Sequence, residues 1–211
     1  MEDLSEKAII ENCPHCDPQS QAFKFLLKET NNFRVVCDAH PLCEGHILII
    51  PKLHLSSIAQ YDDVTYQEFK PLYDQVASFV KETYGPVASF EHGKFGQTVF
   101  HSHVHFLPFK GNLDDILPEG EIRTSEIVNL EELKSAYQRD DGYLFVSIRD
   151  RKWTVDTALA APRFFRDRFA NAIGKPERAA WKEVHINEEI MAEVSIENEN
   201  AQRKWKSYFR Q

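Results

Sequence analysis

The spacing of apolar positions changes period several times along these 211 residues, and each change predicts an element. The stretch 22–28 and Phe33-Arg34-Val35-Val36 are rich in strand formers and predict two strands. His46-Ile47-Leu48-Ile49-Ile50 reads as a buried strand stopped by Pro51. The period then lengthens: Tyr66, Phe69, Tyr73, Val76 and Val80 recur at three- and four-residue steps and make one apolar helical face. Asp62 or Asp63 can cap that helix, Pro71 inside it predicts a kink or break, and Gly85-Pro86 ends it. Residues 87–90 predict a further strand. From Gly96 to Pro108 three histidines alternate with Ser102 and Val104. Period two predicts a strand with His101, His103 and His105 on one face and Phe100, Val104 and Phe106 in the core. Alternate residues on a strand lie about 6.6 Å apart, so His101 and His105 are separated by about 13 Å and cannot share one metal ion. The three rings must divide the labour.

Beyond this strand, 109–125 reads as loop. Asn129 with Glu132 forms a capping box ahead of a helix to about Arg139, Asp140-Asp141-Gly142 is a turn, and 143–148 is a strand. Pro162 suits the first turn of a helix that Gly174 can terminate. Ile190, Val194, Ala201, Trp205 and Tyr208 fit a last helical face, and 1–12 is polar, frayed or a short helix. The pattern is that of an α+β protein: a mainly antiparallel sheet with a helix across it, then a mostly helical C-terminal extension.

Composition adds limits. Charged residues make up 27% and apolar ones 42%, as in an ordinary soluble globular protein. No apolar run approaches 18 residues and 1–12 lacks the features of a signal peptide, so a cytoplasmic protein without a membrane partner is expected. The net charge of −8 argues against general nucleic-acid binding. Residues 149–178 run the other way, with eight Lys/Arg against four acids. Arginine forks suit phosphates, so this segment reads either as a holder of a polyphosphate tail or nucleic-acid end, or as a solvated helix face with ordinary ion pairs. Nucleic-acid ends are not favoured as partners. Trp153, Phe164 and Phe165 read as core.

Eight of the nine histidines lie between His15 and His105, a clustering that needs a chemical reason. Cys13-Pro14-His15-Cys16 is a C-x-x-C pair: half of a zinc site, a redox pair, or idle thiols. Cys37 and Cys43 read as core or loop thiols.

The run Gly-Gln-Thr-Val-Phe-His-Ser-His-Val-His-Phe-Leu-Pro over 96–108 resembles the histidine-triad (HIT) family, as does Gly45-His46-Ile47-Leu48-Ile49-Ile50-Pro51-Lys52-Leu53-His54 upstream. The resemblance covers about 10–110. It implies a five-stranded antiparallel sheet in a nucleotide-binding catalytic domain over 10–115, with 120–211 as an extension. It also implies attack on the α-phosphate of a nucleotide derivative. His103 would be the nucleophile that takes the nucleotidyl group, flanked by His105 and His46. Gln97 and Thr98 would line the phosphate and leaving-group side, and Asp38 would meet the ribose hydroxyls. Zinc-containing members imply a structural Zn²⁺ on Cys13, Cys16, His54 and His101, with no catalytic metal. A homodimer joined through sheets is also implied, unless the extension covers that surface.

The residue types suit this chemistry, since neutral imidazole is a good nucleophile near pH 7. Two departures stand out. Glu91 lies where hydrolase members often carry an amide that contacts phosphate or leaving group, so it reads either as a nucleotide contact and general acid or as a carboxylate paired with its surroundings. Ser102 replaces an apolar residue between the first two histidines, as a site residue or as a change in packing. The Gly-Gln-Thr-Val lead-in looks more like the dinucleoside-polyphosphate hydrolases than the galactose-phosphate uridylyltransferases, which carry glutamine where this chain has His105. Diadenosine polyphosphates are the first expected substrates and nucleoside phosphoramidates the second. The alternative is a non-catalytic, zinc-stabilised nucleotide-binding or protein-interaction module.

Overall fold

The computed structural model describes residues 10–118 and 120–210. The reading of 1–12 falls almost entirely outside them. Eight strands form one antiparallel sheet: β1 (Leu26–Glu29), β2 (Phe33–Cys37), β3 (Ile47–Pro51), β4 (Val87–Glu91), β5 (Val104–Pro108), β6 (Thr124–Ile127), β7 (Leu144–Ile148) and β8 (Arg151–Val155). Their order is β1-β2-β3-β5-β4-β7-β8-β6. The expected five strands are the first five of this order. The extension, mostly helical as expected, supplies the other three. The edge of β4 is taken by β7, with Phe90 opposite Val146. A second copy therefore cannot add at that edge.

Alternation along the strands splits the core into two layers. On one face Val35, Ile49, Val104, Phe106 and Phe145 pack under helix α1 (Asp63–Tyr84) and helix α2 (Glu132–Asp140). On the other, Phe90, Leu107, Val146 and Trp153 pack under helix α3 (Phe164–Ala172) through Phe165 and Phe169. A short helix α4 (Trp181–Ile186) leads into α5 (Glu188–Tyr208), whose Trp205 stands edge-on to Phe79 of α1 at 4.9 Å.

Asp62 caps α1, as expected, by accepting from Thr65 N–H at 2.7 Å. The helix runs unbroken through Pro71. Pro71 and Gln67, whose carbonyl loses its partner, are both exposed, so water can take that bond while the apolar face stays packed. The capping residues before α2 act in a variant way: Asn129 accepts from Glu131 N–H, and Glu132 returns to the N–H of Val128 and Asn129.

The histidine run departs most from a simple strand. Regular pairing begins only at Val104. His101 N–H bonds back to Val99 carbonyl at 2.8 Å, and Ser102 N–H reaches Leu55 carbonyl. That tight turn throws Phe100 outward, where it is 67% exposed rather than in the core. The lead-in also meets the extension: Gly96 carbonyl accepts from Arg163 N–H, and at φ +76° a side chain on Gly96 would lie 2.4 Å from Ala161 carbonyl.

Candidate functional site

The three histidines do divide. His101 joins Cys13, Cys16 and His54, while His105 joins His46 and Asp38. Each set brings its possible ligand atoms within 4.8 Å of one another.

In the first set, Cys13 Sγ and Cys16 Sγ lie 3.5 Å from His101 Nδ1, and Cys16 Sγ lies 3.3 Å from His54 Nδ1. A tetrahedral zinc bound at its usual Zn–S and Zn–N lengths spaces such atoms by roughly 3.3–3.8 Å. His101 Nε2–H donates to Pro51 carbonyl at 2.8 Å, which leaves the Nδ1 lone pair facing both sulfurs. The donor set and its spacing fit a closed structural zinc. All four cysteines are free thiols.

The second set fixes the protons at the reactive end. Burial pushes the His46 pKa down to about 4, partly opposed by Asp38, so the ring is neutral near pH 7. A backbone N–H can only donate, and that of Leu42 points at His46 Nδ1 at 3.0 Å. His46 therefore carries its proton on Nε2 and donates to His105 Nδ1 at 2.9 Å. His105, also held neutral by burial, then carries its proton on Nε2, a buried atom with no hydrogen-bond partner among the described residues. His103 works the other way round: its Nδ1–H donates to His101 carbonyl at 2.6 Å, so its Nε2 holds a lone pair. An N–H on one ring and a free lone pair on the other thus stand side by side, with ring centroids 4.9 Å apart. Both rings line one cavity of about 280 Å³.

Asp38 lines the same cavity, but it is not idle. Its Oδ2 accepts from Arg166 Nη1 at 2.7 Å and its Oδ1 from His40 N–H at 2.9 Å. Burial pushes its pKa up, but Arg166, His46 and the His40 N–H outweigh this and hold it below the usual carboxylate range. Arg166 is a residue that the sequence pattern did not single out. It comes from α3, is buried, and also donates to the carbonyls of His40, Ala179 and Arg178. Asn198 of α5 adds a bond to Asp38 carbonyl at 3.0 Å. The signal for Arg166 was the basic run 149–178, whose cations are paired within the chain, Arg166 and Arg178 in the interior and others at the surface. Arg149 bonds Lys110 carbonyl, Arg151 pairs with Glu126, Arg163 with Asp167, and Arg178 with Glu193 and Glu197.

Thr98 lines the cavity and accepts from Trp181 Nε1–H at 3.2 Å. Gln97 sits beside it, buried, donating to Ser56 carbonyl at 2.7 Å with its own Oε1 unpartnered. Gln97, Glu91 and Ser102 are not among the cavity's lining residues; Glu91 and Ser102 face each other. Ser102 Oγ donates to Glu91 at 2.6 Å, Tyr143 hydroxyl and Ile58 N–H donate to the same carboxylate, and Tyr61 hydroxyl meets Ser102 Oγ at 3.0 Å. The two departures from the family pattern are thus one feature, a buried polar knot that fixes the backbone between His101 and His103. His15 was also missed. It packs against His103 at 5.1 Å and His101 at 5.4 Å, its Nδ1 has no partner among the described residues, and its place inside the C-x-x-C loop was the available signal.

Burial raises the Glu91 pKa to about 7, against three hydrogen bonds that favour the ionised form. A carboxyl that holds its proton more tightly when folded stabilises the fold fully below its unfolded pKa, near 4.5, and loses that contribution as pH rises through 7. The stability of the native protein minus that of Glu91→Gln should therefore grow by about 2–3 kcal/mol from pH 8 to pH 5. Urea unfolding of both proteins at the two pH values measures it; a constant difference overturns the assignment.

Comparison with known proteins bears on this geometry. The model of the HIT domain matches residues 19–112. The chain is 32% identical over 108 residues to the uncharacterized HIT-like protein MG132 of Mycoplasma genitalium, a match spanning 49% of this chain and 77% of that protein. The chain belongs to the HIT family. This HIT protein is also 33% identical over 92 residues to the adenosine 5′-monophosphoramidase HNT1 of Saccharomyces cerevisiae, covering 43% of this chain and 57% of that one. Among solved structures it is similar to a member of the HIT family from Bacillus subtilis, at 21% identity and a TM-score of 0.40, over 62% of this chain and 97% of the other. The HIT-domain match stops before β6, so Arg166, Trp181 and the three added strands lie outside it. No helix among the described residues is long and apolar enough to cross a membrane.

Proposed function

We propose that this HIT protein is a nucleotide hydrolase that cleaves a nucleotide derivative at its α-phosphate through a nucleotidyl-histidine at His103. One observation carries the reading: the hydrogen-bond chain Leu42–His46–His105 leaves an unpartnered N–H beside the free lone pair of His103 Nε2, inside a cavity. In the first step His103 Nε2 attacks phosphorus, the P–N bond forms, and the bond to the leaving group breaks with its electron pair, the amidate nitrogen taking a solvent proton and leaving as the neutral amine. His105 Nε2–H steadies a phosphoryl oxygen as charge builds there. In the second step a water oxygen bonds to phosphorus, the P–Nε2 bond breaks with its electrons returning to His103, and a water proton passes to solvent, so that His103 ends neutral with its proton still on Nδ1.

Within this reading His46 positions His105, and Gln97 and Thr98 border the phosphate and leaving group. Asp38 keeps a second lone pair on each oxygen for ribose hydroxyls. Glu91 and Ser102 act through the backbone of the histidine run rather than on the nucleotide. Residues 10–115 form the catalytic unit and 120–211 the extension. A homodimer joined at sheet edges is left β1 and β6 as its edges. The phosphoramidase relative supports nucleoside phosphoramidates as the first substrates to try. Diadenosine polyphosphates follow. Incubation with adenosine 5′-phosphoramidate should release AMP, measured by chromatography. AMP binding without any release from either substrate would favour the non-catalytic binding module.

The Cys13–Cys16–His54–His101 set is proposed to hold one structural Zn²⁺, which when bound ties the N-terminal loop to the histidine run. The protein as isolated should carry one zinc per chain by elemental analysis, and Cys16→Ser should carry little. Zinc retained at full stoichiometry by the variant overturns this ligand set.

A further inference from the structure

We propose that the C-terminal extension builds the leaving-group subsite of this enzyme, and that Trp181 makes it select planar, uncharged leaving groups. The proposal rests on the hydrolase reading above. Thr98, on the lead-in that borders the leaving group, is bonded by Trp181 Nε1–H at 3.2 Å. Trp181 opens α4 and lines the cavity beside His40, whose ring centroid is 5.7 Å away. His40 Nε2 meets His185 Nδ1 at 3.1 Å, so two aromatic residues of α4 and one from the loop after β2 form a continuous wall.

The charges on this wall decide what it can take. The extension contributes Arg166, Trp181, His185, Met191 and Ser195 to the lining, with no acid and no lysine. Arg166 is already held by Asp38 and by the His40, Ala179 and Arg178 carbonyls. Lys24, the other cation of the lining, belongs to the 20–25 wall and lies over the Phe25 ring. A polyphosphate leaving group finds no open arginine fork here, and an ammonium-bearing one finds no carboxylate except Asp38, whose charge Arg166 already offsets. A flat ring finds an aromatic face.

The test uses two adenosine 5′-phosphoramidates whose amines have matched basicity, one arylalkyl and one n-alkyl. The native enzyme should favour the aryl compound about tenfold in kcat/KM. Trp181→Ala should remove that preference by slowing the aryl compound alone, Trp181→Phe should keep most of it, and AMP affinity by calorimetry should stay the same in both. A second readout does not need turnover. In a His103→Ala protein the aryl amidate should quench tryptophan emission and the alkyl amidate should not, because Trp153 and Trp205 are buried at 7% and 4% exposure. Equal losses for both amidates in Trp181→Ala, or a parallel loss of AMP affinity, overturns the subsite. Undiminished turnover by His103→Ala would sink the nucleotidyl-histidine while the aryl preference is still read in the same assay. Failure of the native protein to cleave either amidate sinks the subsite, and the hydrolase reading then stands or falls on cleavage of a diadenosine polyphosphate.

Discussion

Replacing His103 with alanine should lower AMP release from adenosine 5′-phosphoramidate by at least about 10⁴-fold, while AMP still binds within a few-fold of its native affinity. Removing a nucleophile that forms a covalent intermediate typically costs several orders of magnitude. The ground-state contacts lie elsewhere, on Asp38 and the cavity walls, so kcat should carry the loss. His105→Ala should be less severe. It removes one donor to the phosphoryl group, an effect of about 10²–10³-fold in comparable sites. The order of these two effects is the informative part. If His105→Ala were the more damaging variant, the proton assignment along Leu42–His46–His105 would have the nucleophile and the donor exchanged.

The second large effect is on stability. Arg166→Leu should destabilise the protein by about 3–5 kcal/mol, because it strips a buried carboxylate of its cation and leaves three carbonyls short of a donor. Equilibrium urea unfolding followed by circular dichroism measures it. Asp38→Asn in the same chain should recover part of the loss, since the uncompensated charge is then gone. A loss under about 1 kcal/mol would mean that the Arg166–Asp38 pair does not fasten the extension to the site.

Much of this site could be read from residue types alone, for a physical reason. The structure sends His101 to the cysteine pair and His105 to His46 and Asp38, although His101 stands in a turn and not on the regular strand that the spacing argument assumed. Asp62 and the 3.6-residue period of α1 were equally plain, because capping and amphipathicity are local. The misreadings share a non-local origin. Phe100 looked like core because period two was carried through a turn that exists only through the bonds of His101 to Val99 and of Ser102 to Leu55. The strands β6 and β8 were missed because Thr124-Ser125-Glu126-Ile127 is polar on an edge and the β7–β8 turn uses Arg149 at φ +58° where a glycine would have announced it. Glu91 and Ser102 were read separately, though they are hydrogen-bonded partners eleven residues apart. Arg166 and Trp181 carry no signal of their own. Each matters because α3 or α4 is folded back onto a loop laid down more than eighty residues earlier.

The central claim is a covalent bond between phosphorus and His103 Nε2. Rapid mixing with adenosine 5′-phosphoramidate, quenching in base, and mass spectrometry of the digested protein looks for it directly. One adenylyl group is expected on the peptide that contains His103, stable in base, lost in acid as a phosphoramidate is, and absent from His103→Ala. Steady AMP release with no adduct, or an adduct on any other residue, would contradict it.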